Sequence, residues 1–342
     1  MEVPTIYCQM GFLEKLISKA SESLDSLLFD EEYSVDAVSA CFKLLYGKSR
    51  INIDATSEAL IEHSNPLVKK FIKNPTAHII SNNNIEEKLS QENFWQTTTT
   101  ELFMLDKSET EAKSLEADWG MMVLTIESLV KMETFLTPSP PIFVKQNQEV
   151  FKWQMLEFAR HYFHSVIIVD NYLSNNEKEL NENIIPLILN LCKGKPKRRK
   201  LNLALITTSD NIQGIHSKMR KFLNQYKIEA TLSVSKTQTL SNHDRHCITN
   251  RLWISSGFGF NILSYNRQNH KLQATRDTTL FIMPRLSNHQ IHNSNVSLIC
   301  HRDTFFTASQ AIISKLNKLI EESKVNRGTQ SWHIESDFDN DQ

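Results

Sequence analysis

The segment SNHDRHCITN, residues 241–250, contains four neighbouring side chains that could do chemistry: His243, Asp244, Arg245 and His246. Imidazole and carboxylate groups transfer protons, an imidazole can attack phosphorus, and a guanidinium binds phosphate through two parallel hydrogen bonds. The spacing of these residues bears on which chemistry is possible, and Arg245 lies two positions after His243. Asn250 lies seven positions after that histidine, and Gly257 lies seven beyond Asn250. The segment is therefore a candidate for a catalytic cluster, a phosphate-binding site or a polar turn.

This spacing resembles the signature of the phospholipase D superfamily, in which a histidine and a lysine, two positions apart, precede an aspartate and a Gly-Ser pair. Three identities differ here, since Arg245 replaces the lysine, Asn250 the aspartate and Phe258 the serine. The segment resembles more closely the C-terminal phospholipase D-like domain of MIT-domain proteins, whose pattern is HDR, then Asn, then a Gly-x-Gly turn, here 257–259. The resemblance covers roughly residues 142–323. Bacterial proteins of this kind occur in gene clusters thought to act against phage.

The resemblance implies a role for each matched position. In active members, one histidine attacks phosphorus, a second protonates the leaving oxygen, the lysine neutralises phosphate oxygens and the aspartate orients a histidine. Here His243 would be the nucleophile, and Arg245 would bind phosphate. Asn250 could hold a histidine by one hydrogen bond, without stabilising an imidazolium by charge. The motif occurs once, so two histidines could converge only across a homodimer, and His246 is no substitute because it faces away from Arg245 along a strand.

A structural role is the alternative for this segment. His243, Asp244 and Arg245 could tie down the turn that follows, with the aspartate pairing the arginine or a backbone amide. We therefore expect a phosphate-recognition site or a structural one in preference to a catalyst. If the site is active, the predicted catalytic residues are His243, Arg245 and Asn250.

Polar residues also end two predicted buried strands. Asp170 and Asn171 end HSVIIVDNYL, and Thr207 and Thr208 end LNLALITT. In open α/β sheets, ligands bind outside the carboxyl ends of the strands, so these side chains are expected to line the same cleft as His243. The alternative is a turn or capping role, which Asp and Asn fill in many loops. Three residues of the motif complete the predicted site lining: Asp244, Gly257 and Gly259.

The segment KGKPKRRK, residues 193–200, carries six cations in eight positions. Such a cluster contacts phosphates of nucleic acid or of lipid headgroups, or is a solvated loop without a ligand. We expect it to bind a phosphate-bearing polymer together with Arg245. The predicted contacts are Lys193, Lys195, Lys197, Arg198, Arg199 and Lys200.

The first half resembles a PIN-like nuclease domain, because a first strand turns directly into a helix in TIYCQMGFLEKL. Such nucleases hold a metal with an aspartate at the end of that strand, where this chain has Cys8 and Gln9. Asp54 and Asp106 follow two further predicted strands and are the remaining metal candidates. Two carboxylates are few for a divalent cation, so we expect a degenerate scaffold without a metal or other cofactor.

Alternating strands and helices predict an α/β fold with largely parallel sheets in both halves. The proline-rich run TPSPP, residues 137–141, disfavours helix and interior strand. It is expected to link an α/β domain at 1–136 to a phospholipase D-like domain at 142–323. An acidic disordered tail is expected at 324–342.

Local patterns give further expectations for the second half. Helices are predicted at 147–161 and 181–192 from their apolar periodicity. Trp253, Phe258 and Phe260 alternate along the strand after the motif and are expected in the core.

Composition sets the class of protein. The chain has 342 residues, of which 40% are hydrophobic and 23% charged, as in soluble globular proteins. A net charge of −1 means that any nucleic-acid site must be a local cluster. Five widely spaced cysteines without a CxxC pair argue against disulfides and zinc, and no signal peptide or membrane span is recognisable, so a cytoplasmic location is expected.

The sequence therefore predicts a non-catalytic or weakly active phospholipase D-like module. Its expected partner is nucleic acid or a protein of a multi-subunit system. One alternative is a homodimeric, metal-independent phosphodiesterase or nuclease with His243 as nucleophile. The other is a protein that binds phospholipid headgroups.

Overall fold

The computed structural model describes residues 4–26, 35–47, 49–73, 78–81, 84–132, 139–147, 152–159, 162–171, 173, 176–236, 245–286 and 314. His243 and Asp244 lie outside these residues, as do the expected tail at 324–342 and part of the expected linker. The chain divides into two compact units. The first holds the described residues up to 132 together with 284–286, and the second holds those from 139 to 283 and Ser314. The first unit is thus built from two stretches of chain, which differs from the single stretch expected for each domain.

The first unit consists of strands and helices in alternation. Its strands are β1 (Thr5–Cys8), β2 (Arg50–Ile53), β3 (His78–Ser81), β4 (Leu102–Met104) and β5 (Val123–Leu124). Its helices are α1 (Met10–Ser26), α2 (Val35–Leu45), α3 (Ser57–Glu62), α4 (Pro66–Ile72), α5 (Ile85–Ser90), α6 (Glu92–Thr97) and α7 (Glu109–Trp119), followed by a 3₁₀ turn at Ile126–Ser128. Gly120 ends α7 with a φ of 71°, a left-handed conformation that glycine adopts without strain and that the sequence predicts.

The five strands of the first unit form one parallel sheet in the order β3-β2-β1-β4-β5. The chain adds strands on one side of β1 as far as β3, and then crosses to the other side to form β4. The strand order therefore reverses between β1 and β4. At such a point the two following loops diverge and leave a crevice outside the carboxyl ends of the strands, which is where ligands bind in open α/β sheets.

The second unit contains more strands. They are β6 (Ile142–Val144), β7 (Ser165–Val169), β8 (Leu201–Thr207), β9 (Ala230–Lys236), β10 (His246–Thr249), β11 (Leu252–Ser256), β12 (Leu263–Asn266), β13 (Lys271–Ala274) and β14 (Thr278–Pro284). Its helices are a 3₁₀ helix at Trp153–Ala159, α8 (Glu177–Glu179), a π-helical turn at Leu180–Ile184, α9 (Ile185–Leu191), a 3₁₀ turn at Cys192–Gly194 and α10 (Ile212–Gln225).

The main sheet of the second unit has the order β6-β14-β11-β10-β7-β8-β9. Strands β7, β8 and β9 are parallel, whereas β10 is antiparallel to both β7 and β11. The sheet is therefore mixed, and the expectation of a largely parallel sheet holds in this unit only for β7 to β9. We call the side on which β7, β8 and β9 end the carboxyl edge, and the opposite side the amino edge. Strand β10 begins at the carboxyl edge and ends at the amino edge.

Two predicted helices differ from the structure. At 147–161 the described residues form the 3₁₀ helix Trp153–Ala159, with a kink at Leu156. At 181–192 a π-helical turn precedes α9, which has a proline at its start. Because Pro186 has no N–H and its ring crowds the carbonyl four residues earlier, the preceding turn widens.

The apolar interior of the second unit lies on the faces of the main sheet. Trp253 and Phe260 are fully buried as predicted, but Phe258 is 54% exposed, so the expectation of a core position was wrong for that residue. The described cysteines are all free and buried, and burial raises the pKa of the Cys247 thiol to about 12. Across the described ranges, no helix is both long enough and apolar enough to cross a membrane.

Candidate functional site

The carboxyl edge of the second unit brings together most of the predicted site-lining residues. Asp170 follows β7, Arg245 precedes β10, and the turn 257–259 follows β11. Since β10 runs antiparallel to its two neighbours, all three positions fall at the same edge. Arg245 and the turn 257–259 thus lie next to the end of strand β7.

Asp170 and Arg245 are buried and make their contacts with the turn. The Asp170 carboxylate accepts a hydrogen bond of 2.6 Å from the Phe260 amide. The Arg245 guanidinium donates to the Gly257 carbonyl at 3.1 Å. Arg245 Nε also lies 3.9 Å from Asp170 Oδ1, with side chains 3% and 1% exposed. The negatively charged Asp170 and the positively charged Arg245 thus bind the backbone at the two ends of the turn 257–259.

Gly259 is required by the same arrangement. Its φ is +93°, and a Cβ atom at this position would lie 2.8 Å from Asp170 Oδ2 and 2.9 Å from Arg245 Cδ. Only a glycine allows the backbone to pass this close to both side chains. Arg245 is therefore surrounded by its own chain, and this geometry favours the structural interpretation of the motif over phosphate binding by Arg245.

The threonines at the end of β8 also bond within the chain. Thr207 Oγ1 donates to the Leu173 carbonyl at 3.0 Å, and Thr208 Oγ1 donates to the Asn171 carbonyl at 2.8 Å. Asn171 and Thr208 are therefore joined to each other, and the two hydroxyls hold Asn171 and Leu173 at the end of β8. Their turn and loop role is the alternative left open by the sequence.

Asn250 does not belong to this site. It follows β10 at the amino edge, where its side chain accepts a hydrogen bond of 3.0 Å from the His164 amide. Five residues of extended chain separate it from Arg245, which corresponds to roughly 15 Å. The prediction that Asn250 supports a histidine beside Arg245 is corrected, because residues at opposite ends of a strand cannot share one site. Asn250 instead joins the end of β10 to the start of β7.

His246 faces away from the Arg245 site, as the strand alternation predicts. It is 9% exposed and its Nδ1 lies 3.0 Å from the indole Nε1 of Trp253, which donates the hydrogen bond. The donor fixes Nδ1 as the acceptor nitrogen of the ring. This histidine is part of the core packing of β10 against β11.

The basic segment, residues 193–200, lies at the amino edge and is separated from Arg245 by the length of a strand. Phe163, which precedes β7, donates its amide to the Gly194 carbonyl at 3.1 Å, and Lys200 directly precedes β8. The expectation that the basic segment and Arg245 contact one polymer together is corrected, since strands β7 and β8 place them at opposite edges.

The cations of the basic segment differ in their exposure to solvent. Gly194, Pro196 and Arg199 are buried, and Arg199 is only 5% exposed. Lys195 is half-buried. Four cations are exposed: Lys193, Lys197, Arg198 and Lys200. The buried positions anchor the segment, so the exposed cations are presented from a fixed backbone. Arg199 is thereby removed from the predicted contact set.

The crevice of the first unit gathers three carboxylates. Asp54 follows β2 and Asp106 follows β4, as predicted, and Glu86 joins them from α5. Gln9, which follows β1 and is 4% exposed, connects the group. Its side-chain amide donates to Glu86, and its Oε1 accepts from the Asp106 amide at 2.7 Å. Glu86 was missed from the sequence, where its only signal is its position in the first turn of a short helix.

Lysines balance these carboxylates. Lys15 Nζ lies 2.5 Å from Asp106 Oδ1, and Lys107 Nζ lies 3.7 Å from Glu86 Oε2. A Cβ atom on Gly11 would lie 2.4 Å from Asp106 Oδ2, so helix α1 closes directly over that carboxylate. Each of the three carboxylates therefore already bonds to a cation or to a backbone amide of the chain.

These residues do not fit the divalent cation that a PIN-like nuclease would hold. Such a cation needs several converging oxygens, whereas here an amide nitrogen and two ammonium groups face the carboxylates. Within the described part of the chain, no group of three or more His, Cys, Asp or Glu side chains is arranged to hold a metal ion. Gln9 lies at the end of β1, where a PIN-like nuclease would hold the metal with an aspartate, and its side chain donates to Glu86.

A cleft of about 330 Å³ opens next to Glu86 and Lys107. Its remaining walls include the apolar side chains of Leu89, Trp95 and Leu115. Its polar lining is Glu86, Ser90, Lys107, Glu111 and Ser114. Glu86 pairs with Lys107, Ser90 donates to the Glu87 carbonyl and Glu111 accepts from the Ser108 hydroxyl, so much of this lining already bonds within the chain.

The pKa of Asp54 shows the effect of placing three carboxylates close together. Burial raises the pKa of the Asp54 carboxyl above its ordinary value, and the nearby charges of Glu86 and Asp106 raise it further, while hydrogen bonds from the Met10 amide and its own amide oppose the shift. The folded protein therefore binds more protons than the unfolded chain, and Asp54 lowers stability as pH rises from the ordinary carboxyl pKa through the raised one.

Asp54→Asn is expected to remove this pH dependence and to keep an oxygen that accepts from Met10. The gain at neutral pH should be no more than about 1 kcal/mol, since the group is only half-buried. Urea unfolding between acidic and neutral pH measures it, with Glu62→Gln on the exposed face of α3 as control. A loss of stability at neutral pH in Asp54→Asn would show that the negative charge is needed.

Comparisons with known proteins identify no family. No protein-family model matches this chain, and no curated protein is similar to it in sequence. A solved structure of TrmBL2, described as an archaeal chromatin protein with a novel mode of DNA binding, aligns with 77% of this chain and 71% of its own. The aligned residues are 11% identical and the TM-score is 0.25, a value too low to indicate a common fold. The class that the chain itself defines is an α/β protein of two units.

Proposed function

We propose that this protein is a non-catalytic module that binds a phosphate-bearing polymer, nucleic acid, through the basic segment at the amino edge of its second unit. The observation that carries the proposal is the anchored array of four exposed cations between Lys193 and Lys200. Phosphates of a nucleic-acid backbone recur at regular intervals, so a fixed row of cations neutralises several at once and releases their counterions. Because the overall charge is −1, attraction to nucleic acid must come from a local cluster, and the basic segment is such a cluster.

Two further observations support binding in preference to catalysis. Arg245, the position that would neutralise a phosphate in a phospholipase D-like site, is buried against Asp170 and donates to the Gly257 carbonyl. In the first unit, Asp106 pairs with Lys15, Glu86 pairs with Lys107 and Asp54 accepts from the Met10 amide. At both places, the described side chains that were expected to do chemistry therefore bond within the chain.

The test is a binding measurement at several salt concentrations with labelled DNA and RNA. The variant Lys197→Ala/Arg198→Ala/Lys200→Ala removes three exposed cations from the basic segment. Arg267→Ala/Lys271→Ala/Arg276→Ala removes three exposed cations elsewhere in the same unit and is the matched control. The first variant is expected to weaken binding at least about tenfold at low salt and to flatten the slope of log K against log salt by about 2 to 3, because each phosphate contact contributes about 0.7 to 0.9 to that slope. The control should change both quantities much less.

Other outcomes would replace the proposal. Cleavage that disappears in His243→Ala and needs no metal would establish a phospholipase D-type nuclease, which must act as a homodimer. Pelleting with anionic vesicles but no binding to nucleic acid would identify a phospholipid-headgroup binder. Absence of binding to both would leave a protein partner, and equal losses in the two triple variants would show that the basic segment is not the site.

A further inference from the structure

The turn that leads into β9, at the amino edge, carries an exposed aromatic ring. Helix α10 ends at Gln225, and the next residue, Tyr226, is 49% exposed. Its ring packs against Phe222 of α10 with the centroids 5.1 Å apart, which holds it from one side. The other part of the ring is open to solvent. A tyrosine in this state offers a flat surface to a ligand, and Phe222 supports it from one side.

The register of the sheet places this turn next to the basic segment. Strands β7, β8 and β9 are parallel and adjacent, so their first residues lie side by side at the amino edge. Lys200 precedes β8, and the amide of the following Leu201 donates to the Glu229 carbonyl at 3.4 Å. Neighbouring strands are about 4.8 Å apart, so Glu229, the last residue before β9, lies about one strand spacing from Lys200 and about 10 Å from the start of β7. Tyr226 precedes Glu229 by three residues in the same turn.

The turn adds positive charge to that of the basic segment. Lys227 is exposed. The guanidinium of Arg220 donates to the Ala230 carbonyl at 3.2 Å, which fixes a second cation at the start of β9. Glu229 is an exposed carboxylate in the same turn. The exposed cations Lys197, Arg198 and Lys200, together with these two, outnumber it, so positive charge prevails at this edge.

We propose that the nucleic acid bound at the amino edge is single-stranded, with the phosphates on the exposed cations and a base stacked on Tyr226. This inference rests on the proposed function. Cations alone do not distinguish a duplex from a single strand, but an exposed aromatic ring does, since the bases of a duplex are already stacked on each other. A single strand can turn one base onto the ring while its backbone follows the cations, and every base has a face that stacks.

The experiment compares two probes, an oligo(dT) strand and a blunt mixed-sequence duplex of equal length, by fluorescence anisotropy with the full chain. Tyr226→Ala is expected to weaken binding of the single strand by about 5-fold to 140-fold, the range found when a stacking aromatic is removed, and to change duplex binding less than twofold. Tyr226→Phe should bind like the parent, because the ring and not the hydroxyl supplies the stacking. The salt slope should stay unchanged in both variants.

Tyr265→Ala is the matched control, since Tyr265 is a 40% exposed tyrosine on strand β12 of the same unit. A loss as large in Tyr265→Ala, or an equal loss for strand and duplex in Tyr226→Ala, would overturn the inference. Failure of the inference is separable from failure of the proposed function. If Tyr226→Ala has no effect while the triple variant 197/198/200 loses affinity, the basic segment binds nucleic acid without reading single strands. If neither variant has an effect, both proposals fall.

Discussion

Asp170→Ala is expected to destabilise the protein by about 3 to 5 kcal/mol. The Asp170 side chain is 1% exposed, lies 3.9 Å from the buried Arg245 and accepts from the Phe260 amide. Removing one member of a buried ion pair leaves the other charge without its counter-charge in a place where water cannot replace it. The substitution also strands a buried backbone N–H, which adds to the loss. Urea unfolding followed by tryptophan fluorescence measures the change, because Trp253 lies in the core next to this edge.

Three variants sharpen this prediction. Asp277→Ala removes an exposed carboxylate that also accepts a backbone amide, from Gln146 at 2.6 Å, and should cost less than about 1 kcal/mol. Asp170→Asn keeps an oxygen for Phe260 and should lose less than Asp170→Ala. The double variant Asp170→Ala/Arg245→Met should recover part of the loss, since no charge stays buried. If Asp170→Ala cost no more than Asp277→Ala, the pair would not be structural, and Arg245 would again be a candidate for phosphate binding.

Gln9→Glu is expected to destabilise the first unit by about 2 to 4 kcal/mol at neutral pH. The change preserves shape, but it replaces the amide that donates to Glu86 by an oxygen. A further carboxylate would then stand beside Glu86, near Asp54 and Asp106, at a position that is 4% exposed. Like charges and burial both disfavour ionisation, so the loss should shrink as pH falls and the new carboxyl takes up a proton. Unfolding at several pH values shows this trend.

Gln9→Glu also tests whether the ammonium groups of Lys15 and Lys107 take the place of a metal ion beside the carboxylates. In Gln9→Glu, Mn²⁺ should recover part of the lost stability, because a bound cation stabilises the folded state in proportion to its occupancy. The parent protein should gain much less. Gln91→Glu, the same exchange at an exposed position, is the control and should respond to neither pH nor metal. A parent protein that Mn²⁺ stabilised as strongly as the variant would show that Lys15 and Lys107 do not occupy the site.

The sequence by itself determined the α/β class and the ends of several elements. Continuous apolar runs marked β7 and β8, a glycine marked the end of α7, and Asp170 and Thr207 were correctly placed at the ends of their strands. These features depend on residues a few positions apart, so local periodicity and turn chemistry are enough to predict them. Asp54 and Asp106 were also correctly placed after their strands, β2 and β4.

The tertiary structure alone decided which of these residues act together. The antiparallel insertion of β10 sends Asn250 to the amino edge and leaves Arg245 at the carboxyl edge, although the two are close in sequence. Strand direction is set by long-range pairing, which a motif spacing does not contain.

The sequence also did not indicate which side chains pair with the carboxylates of the first unit. Lys15 meets Asp106 across 91 residues and Gln9 meets Glu86 across 77. Whether a carboxylate is available for a ligand depends on such distant partners, and so does whether a cation is buried, as for Arg199, or exposed, as for Lys197. Residue types in the sequence indicated which chemistry was conceivable, and packing decided which groups remain open to a ligand.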